Sequence, residues 1–150
     1  RASPASSTPV PGFLSWPVVG TWVWQVTQVP GMADNQASDF LHPEHYPGWS
    51  DAYRPQMRYR GFGRALRRSA IASSRTNYDS LYAAVGRTGV PVLLIWGRQD
   101  QTVPFERAEV VRRAIPSLDF LPVDSAGHLP HMEQSGTVHA RLAAFLAAHD

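Results

Sequence analysis

An apolar run that ends abruptly in a polar turn constrains the fold of this chain most strongly. The run "VPVLLIW" leads directly into "GRQDQTVP", residues 97–104. Continuous apolar character over residues 92–96 is typical of a strand buried on both faces of a parallel sheet. The layout recurs where "LDFLPV" leads into "DSAGHLPHMEQ", which predicts a second strand at residues 118–123. Asp100 and His128 therefore each follow a predicted strand.

Helical patterns separate and follow these two strands. Residues 104–115 begin with proline and place Ala108, Val111 and Ile115 on one face. Residues 137–148 place four apolar side chains on one face: Val138, Leu142, Phe145 and Leu146. Alternation of strand and helix with short connections predicts a βαβ unit whose strands are parallel neighbours. Both loops then lie at carboxyl ends of strands, where ligands and catalytic groups gather in α/β sheets. We expect Asp100 and His128 to lie within hydrogen-bonding distance.

The sequence before residue 89 differs in composition from the rest. The whole chain divides into three predicted regions. Residues 1–12 are rich in proline and serine and are expected to be irregular. Residues 13–76 form a helical region in which prolines interrupt short helices, ending in a helix over residues 63–74. Residues 77–150 contain a further helix, over residues 77–89, whose stripe includes Leu81 and Val85, and then the βαβ pattern.

Composition excludes several functions. The chain has no cysteine, which removes disulfides, thiolate nucleophiles and cysteine-ligated metals. A net charge of +2 gives no reason to expect a nucleic-acid partner. No apolar run reaches the roughly 18 residues that a membrane span requires. The chain opens on Arg1 and carries no signal-peptide pattern, so we expect residues upstream of it and take the cytoplasm as the default compartment.

Three segments resemble the C-terminal part of the α/β-hydrolase family. "PVLLIWGRQDQTVP" resembles the penultimate core strand and acid loop, "AGHLPHMEQ" the histidine loop, and "TVHARLAAFLAAH" the last helix. The resemblance implies an α/β fold in which Asp100 is the acid of a catalytic triad, His128 is its base and Glu133 is a trailing acidic residue. It also implies that residues 13–76 are a helical cap, or lid, preceding the C-terminal part of the core.

The family's nucleophile motif is missing from this chain. Triad enzymes of this fold run in the order nucleophile, acid, histidine, and the nucleophile lies in G-x-S-x-G. No serine here has glycines at both flanking positions, and the His-Gly motif of the oxyanion loop is also missing. We therefore expect the chain to be a fragment of a longer hydrolase, inactive by itself, with no metal and no cofactor.

The resemblance implies that the parent is a serine-type carboxylic ester hydrolase, similar to esterases and lipases. The apolar, aromatic character of the predicted cap favours a lipophilic acyl substrate, that is, a small-molecule apolar ester. Val103 and Leu129 flank the two catalytic candidates and are expected to contact that substrate. Alternatives remain open: an enzyme with an aspartate nucleophile (haloalkane dehalogenase or epoxide hydrolase), a C–C bond hydrolase, or a non-catalytic hydrolase-like binding module. Oligomeric state is not indicated.

Other features have ordinary interpretations that we favour. His42 and His45 in "HPEH" have a spacing that could hold zinc, but a solvated loop is expected. For His131 and Glu133, a role in starting the last helix is preferred over a metal site. Arginines of the helical region are expected on a solvated face rather than at a phosphate or membrane surface. Core packing is preferred for its tryptophans, with a substrate pocket or membrane contact as the alternative. The arginines concerned are Arg54, Arg58, Arg60, Arg64, Arg67 and Arg68. The tryptophans concerned are Trp16, Trp22 and Trp24.

Overall fold

Residues 11–150, which the computed structural model describes, divide into two separately packed units. The first unit comprises the described residues up to Ala37 together with Tyr46–Asn77. The second comprises Ser38–His45 and Tyr78–Asp150. The chain therefore enters the second unit briefly, returns to the first, and then completes the second.

The first unit consists of short helices, as its prolines predict. Its elements are α1 (Val19–Thr27), α2 (Met32–Asn35), α3 (Trp49–Tyr53) and α4 (Phe62–Arg75), with 3₁₀ helices at Gly12–Ser15, at Arg54–Arg58 and at Gln36–Asp39, the last of which continues into the second unit. Within residues 11–150, no helix is long and apolar enough to cross a membrane.

Two expectations for the first unit are wrong in part. Trp16 and Trp22 are 60% and 66% exposed, so they do not pack into a core. Arg67 is buried and donates to the Leu14 carbonyl, whereas the other predicted arginines of the patch are exposed. A buried guanidinium is tolerated where backbone carbonyls accept its hydrogens, and this partner is not visible in the sequence pattern.

The second unit contains the predicted βαβ arrangement. Its elements are a 3₁₀ helix at Pro43–His45, α5 (Tyr78–Thr88), β1 (Leu93–Gly97), a 3₁₀ helix at Phe105–Arg107, α6 (Ala108–Ala114), β2 (Asp119–Val123), α7 (Pro130–Glu133) and α8 (Ser135–Ala147). The strands pair in parallel, with Leu93 opposite Asp119 and Gly97 opposite Val123. The prediction of parallel neighbours is confirmed.

The strands are less buried than their apolar sequence predicts. Residues 93–96 of β1 and 119–122 of β2 are half-buried, and only Gly97 and Val123 at the carboxyl ends are buried. Within the described residues the sheet has two strands, so each strand has one pairing neighbour. Pro122 also lacks the N–H that a further ladder would use. The expectation of strands buried on both faces is therefore wrong.

The core of the second unit is small. Val123, Ala126 and Val138 are buried together, with Ile95 and Leu121 packed against them. The predicted apolar stripe of α6 is buried at Ala108, Val111 and Ile115. The stripes predicted for α5 and α8 are largely uncovered, since Leu81, Val85, Leu142 and Leu146 are 40–59% exposed. A helical pattern predicts which face is apolar, but burial also needs an element to pack against it.

Aromatic and guanidinium groups connect α6 and its preceding 3₁₀ helix to β2. The Phe105 and Phe120 rings stack with their centroids 6.0 Å apart. The Arg98 guanidinium carbon lies 5.0 Å from the Phe105 centroid, and that of Arg112 lies 4.9 Å from the Phe120 centroid. Such cation–π contacts contribute about 0.5–1 kcal/mol each at exposed sites. These contacts hold the chain at Phe105, which follows the loop carrying Asp100, against β2.

Gly97 allows the ends of the two strands to meet the following loops. A Cβ atom at this position would collide with the carbonyl oxygens of Ala126 and Gly127. Because these atoms belong to the backbone, they cannot rotate away as a side chain could. Glycine is therefore required here by close approach, not by an unusual backbone angle.

Substituting glycines at two contrasting positions tests this packing. We expect Gly97→Ala to lower the free energy of unfolding by about 1–3 kcal/mol, as overpacking does. Gly136→Ala is the control, because a Cβ there meets nothing within 4 Å and the position lies in α8. Because Gly136 is the second residue of α8 and not in its middle, this exchange should raise the stability by at most about 0.5 kcal/mol. Urea unfolding followed by circular dichroism measures both, and equal effects would contradict the close approach.

Candidate active site

The loop that follows β1 fixes the Asp100 carboxylate in one orientation. Asp100 is 8% exposed, and its Oδ1 accepts backbone N–H groups of Thr102 at 2.9 Å and Val103 at 2.8 Å. An aspartate that accepts hydrogen bonds from residues two and three positions ahead makes a local turn of its own. With Oδ1 occupied in this way, Oδ2 is directed away from the turn.

The loop that follows β2 brings His128 to that oxygen. The chain reverses at Ser125, whose φ of 53° lies in the left-handed region. The His128 Nδ1 atom lies 2.9 Å from Asp100 Oδ2, and the histidine side chain is 37% exposed. An ionised carboxylate can only accept, so in the neutral ring Nδ1 carries the hydrogen and Nε2 carries the lone pair.

Backbone pairing continues past the strand ends and joins the two loops. The Arg98 N–H donates to the Val123 carbonyl at 2.9 Å, and the Gln99 N–H donates to the Ala126 carbonyl at 3.0 Å. The Gln99 side-chain oxygen accepts the Ala126 N–H at 3.2 Å. The sequence prediction did not include Gln99, and its position directly before Asp100 was the available signal.

An apolar cavity of about 210 Å³ adjoins the pair. Its lining comprises Leu94, Ile95, Trp96, Gly97, Asp100, Val103, His128 and Pro130. Val103 therefore lies where a substrate contact was predicted, and its carbonyl accepts the Trp96 indole N–H at 3.1 Å. Leu129 does not line this cavity; it is half-buried, and its carbonyl accepts N–H groups at the start of α7. Its contact with substrate stays a prediction.

A larger concavity, of about 520 Å³, lies within the first unit between α1 and α4. Its lining includes Trp22, Met57, Tyr59 and Phe62. Neither Asp100 nor His128 contributes to it. Because the Asp100–His128 pair lies at the smaller cavity, that cavity and not the larger one is the candidate active site.

The Glu133 carboxylate bonds to distant backbone rather than to the helix that follows it. Its Oε1 accepts the Leu41 N–H at 2.7 Å, and its Oε2 accepts the Gly127 N–H at 2.6 Å. Glu133 ends α7 and lies two residues before the start of α8, and the favourable effect of its charge near the start of the last helix stays a prediction. No local sequence signal could indicate Leu41 as a partner, because it lies 92 residues away.

The remaining candidates for metal binding do not converge. Within residues 11–150, no three His, Asp or Glu side chains are arranged to hold a metal ion. His131 is exposed, and the His42 and Glu44 side chains form an exposed pair with Nδ1 and Oε1 3.1 Å apart. A backbone hydrogen bond of Glu44 itself, with support from His42, lowers the pKa of this carboxyl. The segment is exposed, and Pro43–His45 within it forms a 3₁₀ helix.

The arrangement is suited to proton transfer. A ring with its lone pair at Nε2 can take a proton from a hydroxyl group or water and return it to a leaving group. The carboxylate beside Nδ1 holds the ring and stabilises the imidazolium that forms. The Asp100 side chain is almost fully buried, so solvent screens its interaction with the imidazolium less than it would at an exposed site.

Comparison with known proteins places the chain among similar sequences and folds. A sequence model for the alpha/beta hydrolase fold matches residues 8–135. The chain is 33% identical over 95 residues to the dihydrolipoyllysine-residue acetyltransferase component of an acetoin cleaving system from Pseudomonas putida, covering 61% of this chain and 24% of that protein. It is 26% identical over 57 residues to lipase 3 from Moraxella sp. (strain TA144), covering 38% and 18%.

Two solved structures share the fold. A 2-hydroxy-6-oxo-6-phenylhexa-2,4-dienoate hydrolase from Rhodococcus sp. strain RHA1 matches with a TM-score of 0.64 at 19% identity, over 85% of this chain and 47% of that one. A thermophilic esterase from Thermogutta terrifontis matches with a TM-score of 0.62 at 24% identity, over 86% and 47%. The chain thus spans less than half the length of each of these four proteins.

Replacing Asp100 with asparagine tests the tautomer of the His128 ring without an assay of activity. In Asp100→Asn, the amide oxygen can keep the two backbone N–H groups, which leaves an NH₂ group facing His128. Nδ1 must then accept, so we expect the ring hydrogen to move to Nε2. Nitrogen-15 NMR of the imidazole reports the change. Asp124→Asn is the control, because Asp124 is exposed and pairs with Arg98 at 2.9 Å. A hydrogen that stays on Nδ1 in Asp100→Asn would contradict the geometry.

Proposed function

The chain belongs to the α/β-hydrolase fold family, and we propose that it forms part of a serine-type carboxylic ester hydrolase that acts on a lipophilic acyl group. The observation that carries this proposal is the 2.9 Å contact between His128 Nδ1 and Asp100 Oδ2 beside an apolar cavity. The lipase and the esterase among the similar proteins support the same class of reaction.

In the proposed reaction, His128 is general base and then general acid. Its Nε2 takes the proton of a serine hydroxyl as the serine oxygen attacks the ester carbonyl. The same nitrogen then gives that proton to the departing alcohol, leaving an acyl-enzyme. Water repeats the sequence and releases the acid. Asp100 stays ionised and stabilises the positive imidazolium in both halves.

The proposal assigns the nucleophile to residues outside this sequence of 150 residues. No serine in the sequence has a glycine two residues before it and another two residues after it, as the nucleophile elbow of this fold requires. An elbow centred on aspartate would instead give a dehalogenase or epoxide hydrolase, and C–C bond cleavage also uses this fold. By itself the chain is expected to show no turnover.

The lipophilic part of the proposal depends on the lining of the cavity. Leu94, Ile95, Val103 and Pro130 surround the reactive pair with hydrocarbon. An acyl chain that enters removes this surface from water, and each buried CH₂ contributes about 0.8 kcal/mol. Charged acyl groups would have to lose their hydration against the same surface. We therefore expect acyl chains of several carbons to be preferred over acetate.

The first experiment determines the coding sequence immediately upstream of Arg1. An elbow with serine at its centre supports ester hydrolysis, and an elbow with aspartate overturns it. The extended protein is then assayed with p-nitrophenyl acetate, butyrate and octanoate. We expect kcat/KM to rise from acetate to the longer esters. A start codon and ribosome-binding site adjoining Arg1 would overturn the enzymatic proposal and favour a binding module.

Variants of the extended protein test the two assigned roles. His128→Ala should lower kcat by about 10⁶-fold, and Asp100→Asn by about 10⁴-fold, as for other triads. His131→Ala serves as the matched control, because His131 is exposed three residues further on and should change kcat little. Full turnover in His128→Ala would rule out the proposed base.

A further inference from the structure

A short segment, Asp39–Leu41, lies directly against the histidine loop in the second unit. The Asp39 carbonyl accepts the His128 N–H at 2.8 Å. A Cβ atom at Gly127 would lie 2.8 Å from the Leu41 nitrogen and 2.9 Å from the Asp39 carbonyl oxygen. This close approach requires glycine at position 127. The backbone of the reactive histidine is thus held by a segment far away in the chain.

The side chain of Asp39 reaches the acid loop as well. Its Oδ1 accepts the Thr102 hydroxyl at 2.8 Å. The backbone N–H of Thr102 is one of the two donors that orient Asp100 Oδ1. Asp39 therefore contacts both loops, one through its carbonyl and the other through its carboxylate.

Glu133 joins the same segment to the histidine loop from the other side. Its two carboxylate oxygens accept the N–H groups of Leu41 and Gly127, at 2.7 and 2.6 Å. Hydrogen bonds to a charged acceptor are shorter and roughly twice as strong as neutral ones. A glutamine has one acceptor oxygen, so it cannot replace both bonds.

We propose that Asp39 and Glu133 are positioning residues. They hold His128 within hydrogen-bonding distance of Asp100, in the orientation from which its Nε2 transfers protons. The inference rests on the proposed function for its meaning in turnover, but the geometry it concerns can be measured without turnover. Consecutive N–H groups of Gly127 and His128 are held by Glu133 and Asp39, so the loop is fixed at both peptide units. Neither positioning side chain lines the cavity.

This separation from the cavity gives the proposal a kinetic signature. A substrate in the cavity contacts neither Asp39 nor Glu133 through their side chains. Loosening the histidine loop should therefore lower kcat much more than it changes KM. A misplacement of about 1 Å in a catalytic group can lower the rate by about 100-fold.

The test measures the Nδ1 hydrogen of His128 by proton and nitrogen-15 NMR on this chain. A hydrogen held between Nδ1 and Asp100 resonates far downfield and exchanges slowly with water. In Glu133→Gln, we expect its exchange to be faster by about tenfold, comparable to losing one charge-assisted hydrogen bond. Glu109→Gln is the matched control, since Glu109 pairs with Arg112 and Arg113 on α6 and touches neither loop. Equal exchange rates of the Nδ1 hydrogen in the unsubstituted chain, Glu133→Gln and Glu109→Gln would overturn the proposal.

Asp39 supplies a second pair of variants that does not depend on Glu133→Gln folding. Asp39→Asn keeps an oxygen that can accept the Thr102 hydroxyl, whereas Asp39→Ala does not. Both retain the backbone carbonyl that accepts the His128 N–H. We expect slow exchange to be kept in Asp39→Asn and lost in Asp39→Ala. Slow exchange in both would overturn the role of the Asp39 side chain.

Kinetics on the extended protein separate this inference from the proposed function. Both the proposed function and the positioning role are supported if the extended protein hydrolyses esters, if Glu133→Gln lowers kcat with a near-constant KM, and if Glu109→Gln leaves kcat unchanged. If the unsubstituted extended protein hydrolyses no ester but the expected NMR changes are seen, ester hydrolysis is overturned and the positioning role of the two residues is supported. Hydrolysis by the parent with unchanged kcat in both Glu133→Gln and Asp39→Ala supports ester hydrolysis and overturns positioning.

Discussion

The orientation of the Asp100 carboxylate is the constraint on which the candidate site depends. A carboxylate at 8% exposure is costly unless its lone pairs are used, and here each oxygen has a defined partner. The turn formed by Thr102 and Val103 occupies Oδ1, so Oδ2 remains for the imidazole. The tautomer of His128 follows from this division. An aspartate of a common type of turn is thus left with one oxygen that accepts from the imidazole, because the turn uses only the other.

Close backbone approach makes that pair geometrically available. Gly97 lets the histidine loop cross the end of β1, and Gly127 lets residues 39–41 lie against the histidine loop. The carboxylates of Asp39 and Glu133 then use the N–H and hydroxyl groups that this crowding brings near. Packing and polar satisfaction are therefore two aspects of one arrangement, and each removes freedom from the loop that carries His128.

The sheet and helices that carry the site are only partly covered. The β-strands are half-buried, and Leu142 and Leu146 on α8 are exposed although their spacing is that of a core-facing stripe. Burial of a Leu side chain contributes about 1.5–3 kcal/mol, which these positions do not provide here. Stability in the second unit therefore depends on the small core around Val123 and Val138, on the buried face of α6 and on the hydrogen bonds that join the loops.

The sequence alone determined the βαβ order, the parallel pairing and the presence of Asp100 and His128 on neighbouring loops, because apolar runs, helical spacing and turn residues are local signals. It also indicated Glu133, but not what Glu133 binds. The tertiary structure decided that residues 38–45 join the second unit, that Gln99 and Asp39 contact the loops, and that the apolar stripe of α6 is buried while those of α5 and α8 stay largely uncovered. Backbone N–H and carbonyl groups are present at almost every residue and carry no sequence signature. Which of them meet across 92 residues is therefore settled only when the chain has folded.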